Sequence, residues 1–194
     1  MLPELLQSAN LFHLLYRIDI DWADQKQKAG CPYCGGTLHT SNYQRKPRGG
    51  PPDLPESLHT RFSFCCSNEK CRRRTMPESM RFMDRRVYFR VVIVIVTALK
   101  QNKPQKYSRN MLARMLGANR KTISRWLTYF RAIFPRSNIW KQARGCISPV
   151  VSSQNLPGSL VDFYSGHFGS AEQALINCLR LLTTGLPVMK MMDL

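Results

Sequence analysis

The sequence predicts an α+β chain, in which a small cysteine-built domain is followed by an all-α domain. Three observations predict it. Five of the seven cysteines fall between residues 31 and 71, in a stretch rich in proline and glycine. From residue 82 onward, apolar side chains recur in helical runs between recognisable caps. The positive charge is concentrated in these same two regions. A chain of 194 residues can bury a substantial core without having to form a single domain.

Residues 1–30 read as an N-terminal helix and a connector. Leu5, Ala9, Phe12, Leu15 and Tyr16 make a helical stripe over residues 4–18, and residues 19–30 are polar. Residues 31–81 form the cysteine domain, with the Pro/Gly-rich residues 46–52 as a loop. Residues 82–134 form the helical domain. The apolar run 82–101 is too long for one strand and reads as mostly helix, despite its β-branched valines. Pro104 ends it, Ser108 caps the next helix, and two helices fill residues 109–134. Residues 135–194 comprise a linker and a C-terminal helix. The linker, 135–170, contains Pro149, Pro157, Gly158 and Gly166; Ser170 then caps an apolar helix over 171–183.

The chain holds 29 Lys and Arg against 12 Asp and Glu, a net charge of +17. Residues 1–30 carry −1, residues 31–148 carry +19, and residues 149–194 carry −1. So dense a basic block repels itself, and a polyanion, usually nucleic acid, offsets the cost. Membrane readings are weak: no positive n-region or cleavable signal opens the chain, and the apolar run Val91 to Val96 is far shorter than the roughly 20 residues of a spanning helix. Seven cysteines with no export signal point to a reducing compartment, the cytoplasm, with the protein on the nucleoid.

Cys31-Pro32-Tyr33-Cys34-Gly35-Gly36 has the residue types of a metal knuckle. Two cysteines separated by two residues grip one ion in a tight turn, and the glycines allow the backbone to bend toward the sulfurs. Completing a tetrahedron takes a second pair from Cys65, Cys66 and Cys71. Adjacent residues of a strand point to opposite sides, so only one of Cys65 and Cys66 ligates. Cys66 is assigned, with Cys65 the alternative, and His39 and His59 are substitutes. The expectation is a four-cysteine zinc ribbon on Cys31, Cys34, Cys66 and Cys71 whose ion is structural, because four thiolates leave no position for an activated water.

Residues 108–127 match a helix-turn-helix where physics constrains one. Ala113 is small where the helices cross, Gly117 can take the positive φ of the turn, and Leu112, Leu116, Ile123 and Trp126 form the shared seam. That leaves Asn119, Arg120, Lys121, Ser124, Arg125 and Thr128 facing outward, the side that enters the major groove in this motif. Arg72, Arg73 and Arg74, directly after Cys71, read as phosphate clamps, as do Arg85 and Arg86 at the start of the next helix. Phe62, Phe64, Tyr88 and Phe89 are assigned to the core rather than to stacking.

The order of these parts resembles the zinc-ribbon and helix-turn-helix proteins of bacterial insertion sequences. Cys31 to Gly35, Cys66 to Arg74, and Leu112 to Trp126 carry the resemblance, which covers residues 31–134. It implies recognition of transposon ends or repression of the element's own promoter. The gap between the knuckles is longer than the pattern expects. After Phe134 the only acids are Asp162, Glu172 and Asp193, too few and too scattered for a two-metal strand-transfer site. The expected protein is therefore a non-enzymatic accessory or regulatory factor that binds double-stranded DNA by sequence, with no small-molecule substrate. An RNA-binding zinc-ribbon protein is the alternative, and a nuclease using Asp19, Asp21 and Asp24 is a third reading. The last helix, around Leu175, Ile176, Leu179 and Leu182, either packs on the helical domain or pairs two copies into a homodimer.

Overall fold

The computed structural model describes residues 2–147 and 149–186. The end of the predicted 135–194 segment, with Asp193, lies outside the described residues. The fold is mixed α/β and divides into two compact units. One is Ser8–Phe89; the other joins residues 2–7 to the described chain from Arg90 onward.

The Ser8–Phe89 unit opens with helix α1 (Ala9–Ala29), capped by the Ser8 hydroxyl, which accepts from the Leu11 N–H at 3.3 Å. It buries Leu11, Phe12, Leu15, Asp19 and Ala23 along one face. The helix thus runs through residues 19–29, which the sequence reading assigned to a connector. The stripe continues there through an acid, and a periodicity count that scores aspartate as polar cannot follow it.

Five short strands follow: β1 (Leu38–Thr40), β2 (Tyr43–Gln44), β3 (Thr60–Arg61), β4 (Phe64–Cys66) and β5 (Arg74–Thr75). Strands β1, β4 and β5 form one antiparallel sheet with Leu38 opposite Cys66, His39 opposite Cys65, and Cys65 opposite Arg74. Strands β2 and β3 form a second pair, Tyr43 opposite Arg61. Alternation sends Leu38, Phe64, Cys66 and Thr75 inward. Ala23, Cys31, Leu38, Phe64 and Cys66 make a small core, with Phe62 and Cys71 against it. Elsewhere in the unit Phe12 and Phe82 meet Phe89, at centroid distances of 4.9 and 6.1 Å. Of the aromatic residues assigned to the core, Phe64, Tyr88 and Phe89 are buried and Phe62 is half-buried.

The second unit is built around α2 (Arg90–Asn102), in which every residue from Val91 to Leu99 is buried. A helix apolar on all sides belongs at the centre of a bundle. It starts eight residues later than the predicted run at Phe82, so Arg85 and Arg86 lie before it rather than opening it. Helices α3 (Arg109–Met115) and α4 (Arg120–Thr128) follow, then a π turn over Tyr129–Ile133. Ser108 caps α3, its hydroxyl accepting from the Met111 N–H at 3.1 Å.

The predicted linker 135–170 is instead largely helical, holding α5 (Asn138–Arg144) and α6 (Gly158–His167). The first is seven residues long between a proline and a glycine, and the second begins at Pro157-Gly158. Its start is held by α2: Gly158 N–H donates to Gln101 Oε1 at 3.0 Å, and Asn102 Nδ2 donates to the Gly158 carbonyl at 3.3 Å. Contacts more than 50 residues apart in sequence hold helix α6, and no local pattern announces it. Ser170 caps α7 (Ala171–Thr184) as expected, its hydroxyl accepting from the Gln173 N–H at 3.1 Å. Leu175, Ile176, Leu179 and Leu182 are buried within this unit, where α7 packs on α6, α5 and α2. No described helix is long and apolar enough to cross a membrane.

Candidate metal centre and candidate nucleic-acid surface

The sulfurs of Cys31, Cys34, Cys66 and Cys71 all lie within 4.8 Å of one another. Cys31 Sγ is 3.8 Å from Cys71 Sγ, and Cys34 Sγ is 3.4 Å from Cys66 Sγ. A tetrahedron of thiolates with metal–sulfur bonds of about 2.3 Å has edges of about 3.8 Å, so the four can close around a single ion. None of the seven cysteines is in a disulfide.

Two turns of the same construction present these thiols. In the first, the Gly35 N–H donates to the Cys31 carbonyl at 2.8 Å, and Gly35, just after Cys34, has φ +71°. In the second, the Arg72 N–H donates to the Asn68 carbonyl at 2.9 Å, and Arg72, just after Cys71, has φ +46°. Asn68 therefore stands where Cys31 stands in the first turn. Its Oδ1 accepts from the Lys70 N–H at 3.0 Å, as the Cys31 sulfur accepts from the Tyr33 N–H. The fourth thiol comes from Cys66, at the end of β4 two residues earlier. The wide spacing of the second cysteine pair is thus an ordinary knuckle with asparagine in its first position.

Backbone N–H groups two residues on also point at the other sulfurs, Asn68 at Cys66 and Arg73 at Cys71. Such donors favour the thiolate. The Tyr33 N–H, with the Cys34 N–H and the neighbouring thiols, brings Cys31 down to about 7 against the opposing effect of burial. Burial pushes Cys66 up to about 12. For Cys71 the Arg73 N–H pulls downward, but burial and the Cys34 and Cys31 thiols outweigh it and leave it raised.

Cys65 is outside the cluster, as strand alternation predicts. Its thiol points to the other side and donates to the Arg72 carbonyl at 3.7 Å. His39 lies opposite it on the exposed side, and His59 sits 6.3 Å from the Phe89 ring; neither joins the cluster.

The nuclease candidate Asp19 is not on a solvated connector. It is fully buried and accepts from Ser79 Oγ at 2.6 Å, the Met80 N–H at 2.6 Å and Arg81 Nε at 2.8 Å. Arg81, also fully buried, donates on to the Leu58 and Thr60 carbonyls, with its guanidinium 4.5 Å from the Tyr16 ring centroid. Burial depresses the Arg81 guanidinium and Asp19 pulls it back up. With every carboxylate oxygen engaged, Asp19 is a structural anchor, which overturns its reading as a solvated acid. Asp21 and Asp24 are exposed and belong to no metal-binding group among the described residues.

In the helical unit, α3 and α4 pack through Leu112, Ala113, Ile123 and Trp126, all buried, with Leu116 half-buried. Gly117 between them has φ +56°, and the Ala118 N–H donates to the Ala113 carbonyl at 2.8 Å. Arg120, Lys121, Arg125 and Thr128 are exposed on α4, and Ser124 is half-buried. Asn119 caps α4, its Oδ1 accepting from the Lys121 N–H at 2.8 Å. Two hydrogen bonds tie the helices on this side: Arg109 Nη1 to Ser124 Oγ at 3.3 Å, and Arg120 Nη1 to Asn110 Oδ1 at 3.4 Å.

Arg72, Arg73 and Arg74 are exposed beside the cysteine cluster. Arg73 lies over the exposed Tyr33 ring at 4.4 Å and Arg74 over the Tyr43 ring at 5.9 Å. Arg85 is exposed, and Arg86 pairs with Asp84 at 2.9 Å. Compared with protein-family models, with curated proteins and with solved structures, the chain finds no match.

Proposed function

We propose that this protein binds double-stranded DNA by sequence, through α4, and is stabilised by one structural zinc ion on Cys31, Cys34, Cys66 and Cys71. The observation that carries the DNA reading is the division of α4. One side buries Ile123 and Trp126; the other exposes Arg120, Lys121, Arg125 and Thr128. No Asp or Glu occurs anywhere in residues 85–161, so no carboxylate within that stretch neutralises this face. A helix so presented after a left-handed turn is the shape that a helix-turn-helix inserts in the major groove. Lys121, Ser124, Arg125 and Thr128 would face base edges, and Arg can grip guanine in a bidentate way.

The donor set supports zinc, since four thiolates satisfy that ion in full and leave no open position. When bound, zinc supplies a cross-link, holding two turns and the end of β4 together. The order of parts supports a role with an insertion sequence, as an accessory or regulatory factor on the nucleoid. Burial of Asp19 removes the best candidate acid for a non-structural role. A second reading, single-stranded RNA binding by the cysteine unit, draws support from Arg73 and Arg74 over Tyr33 and Tyr43, because rings beside cations suit unpaired bases.

The test is selection from a random duplex DNA library at physiological salt, on zinc-loaded protein, with a structured RNA pool as competitor. Enrichment of one motif is expected, and its symmetry would report whether two copies bind together. With that motif, Arg125→Ala is expected to lose roughly tenfold in affinity while shuffled duplex is little changed. Binding without enrichment, or capture of the RNA pool, would sink the reading.

A further inference from the structure

The junction of α2, α3 and α4 forms a recess lined by Lys100, Ser108, Arg109, Asn110, Arg120 and Leu127. Three of these six carry positive charge and none is acidic. Among the described residues no ion pair involves any of the three. Like charges gathered on one recess repel unless an anion joins them.

The hydrogen bonds around the recess leave its donors available. Arg120 gives Nη1 to the neutral Asn110 amide, Arg109 gives Nη1 to the neutral Ser124 hydroxyl, and Lys100 gives one N–H to the Pro104 carbonyl at 3.1 Å. A guanidinium has five N–H donors and an ammonium three, so most remain for a ligand. The two bonds also fix the guanidinium groups from opposite helices, reducing the rotamer freedom lost on binding. Planar guanidinium forks and an ammonium around one space match a tetrahedral oxyanion.

We infer that Lys100, Arg109 and Arg120 together bind one phosphate group, supplied by the backbone of duplex DNA, so that Arg120 positions α4 and does not read a base. This rests on the DNA-binding reading above and gives Arg120 its role in it. Base readout then falls to the residues that lie outside the recess, Lys121, Ser124, Arg125 and Thr128.

The site is tested first without DNA, by following the arginine Nε–Hε NMR signals of the zinc-loaded full chain during titration with inorganic pyrophosphate. Arg109 and Arg120 are expected to shift together and saturate, with Arg125 unmoved. Small uniform shifts of all exposed arginines would overturn the site. In a second arm, affinity for the enriched duplex and for a shuffled duplex is measured against salt. Arg109→Ala and Arg120→Ala should each flatten the slope of log affinity against log salt, the double variant by about 0.9 because one phosphate is shared, and leave the preference between duplexes intact. Arg125→Ala should instead reduce that preference. Loss of preference in Arg120→Ala would overturn the assignment, whatever the pyrophosphate result. Saturable pyrophosphate binding with no duplex binding would keep a phosphate site but sink both its DNA source and the DNA reading.

Discussion

The two units of this protein reach order by different means. The unit from Arg90 onward surrounds α2, nine of whose residues are buried in succession, with α4, α6 and α7. Its stability comes from apolar area removed from water, at roughly 25 cal/mol per Å². The Ser8–Phe89 unit has strands of two or three residues and, around its cysteines, a core of five buried side chains. Strands that short contribute few ladder bonds. Two point-like devices supplement that core and the apolar core around Phe12, Leu58, Phe82 and Phe89: the four-thiol cluster and the buried Asp19–Arg81 pair. Each joins segments far apart in the chain, the first across 40 residues and the second across 62.

The difference predicts where damage spreads. Cys66→Ser, or removal of metal by a chelator, is expected to abolish ordered structure in Ser8–Phe89 while the helical unit keeps its dispersed NMR signals. Loss of both units together would show that they share one stability. Asp19→Ala strands a buried guanidinium and should cost about 3–5 kcal/mol in a denaturant titration of the metal-loaded protein. A cost below about 1 kcal/mol would mean that the pair is not an anchor. Leu179→Ala, in the core of the helical unit, should cost about 2–5 kcal/mol and be indifferent to chelator. The smallest effect has the opposite sign. Arg72 occupies the left-handed position that glycine fills in the first turn, so Arg72→Gly should stabilise the metal-loaded protein by about 1 kcal/mol, read as a raised melting temperature.

The two turns also mark how far sequence patterns reach. Cys31-Pro32-Tyr33-Cys34-Gly35 is legible because every residue that shapes it is adjacent. The choice of Cys66 over Cys65 is legible too, because alternation in a strand is local geometry. The second turn is disguised, since Asn68 does by an amide oxygen what Cys31 does by sulfur, and a cysteine count cannot see it.

By itself the sequence determined what depends on neighbours a few residues away: the first knuckle, the caps at Ser108 and Ser170, the left-handed turn at Gly117, the apolar face of α4 and the basic surface. Tertiary structure alone decided the burial of Asp19 with Arg81, the helices of residues 138–167, the enclosure of α7, and the meeting of Lys100, Arg109 and Arg120. An aspartate is polar by every local measure and enters a core only where a distant arginine meets it. A helix that opens at Pro157-Gly158 persists only where another helix supplies hydrogen bonds to its start. Periodicity records which way a side chain points; only the folded chain sets what it meets there.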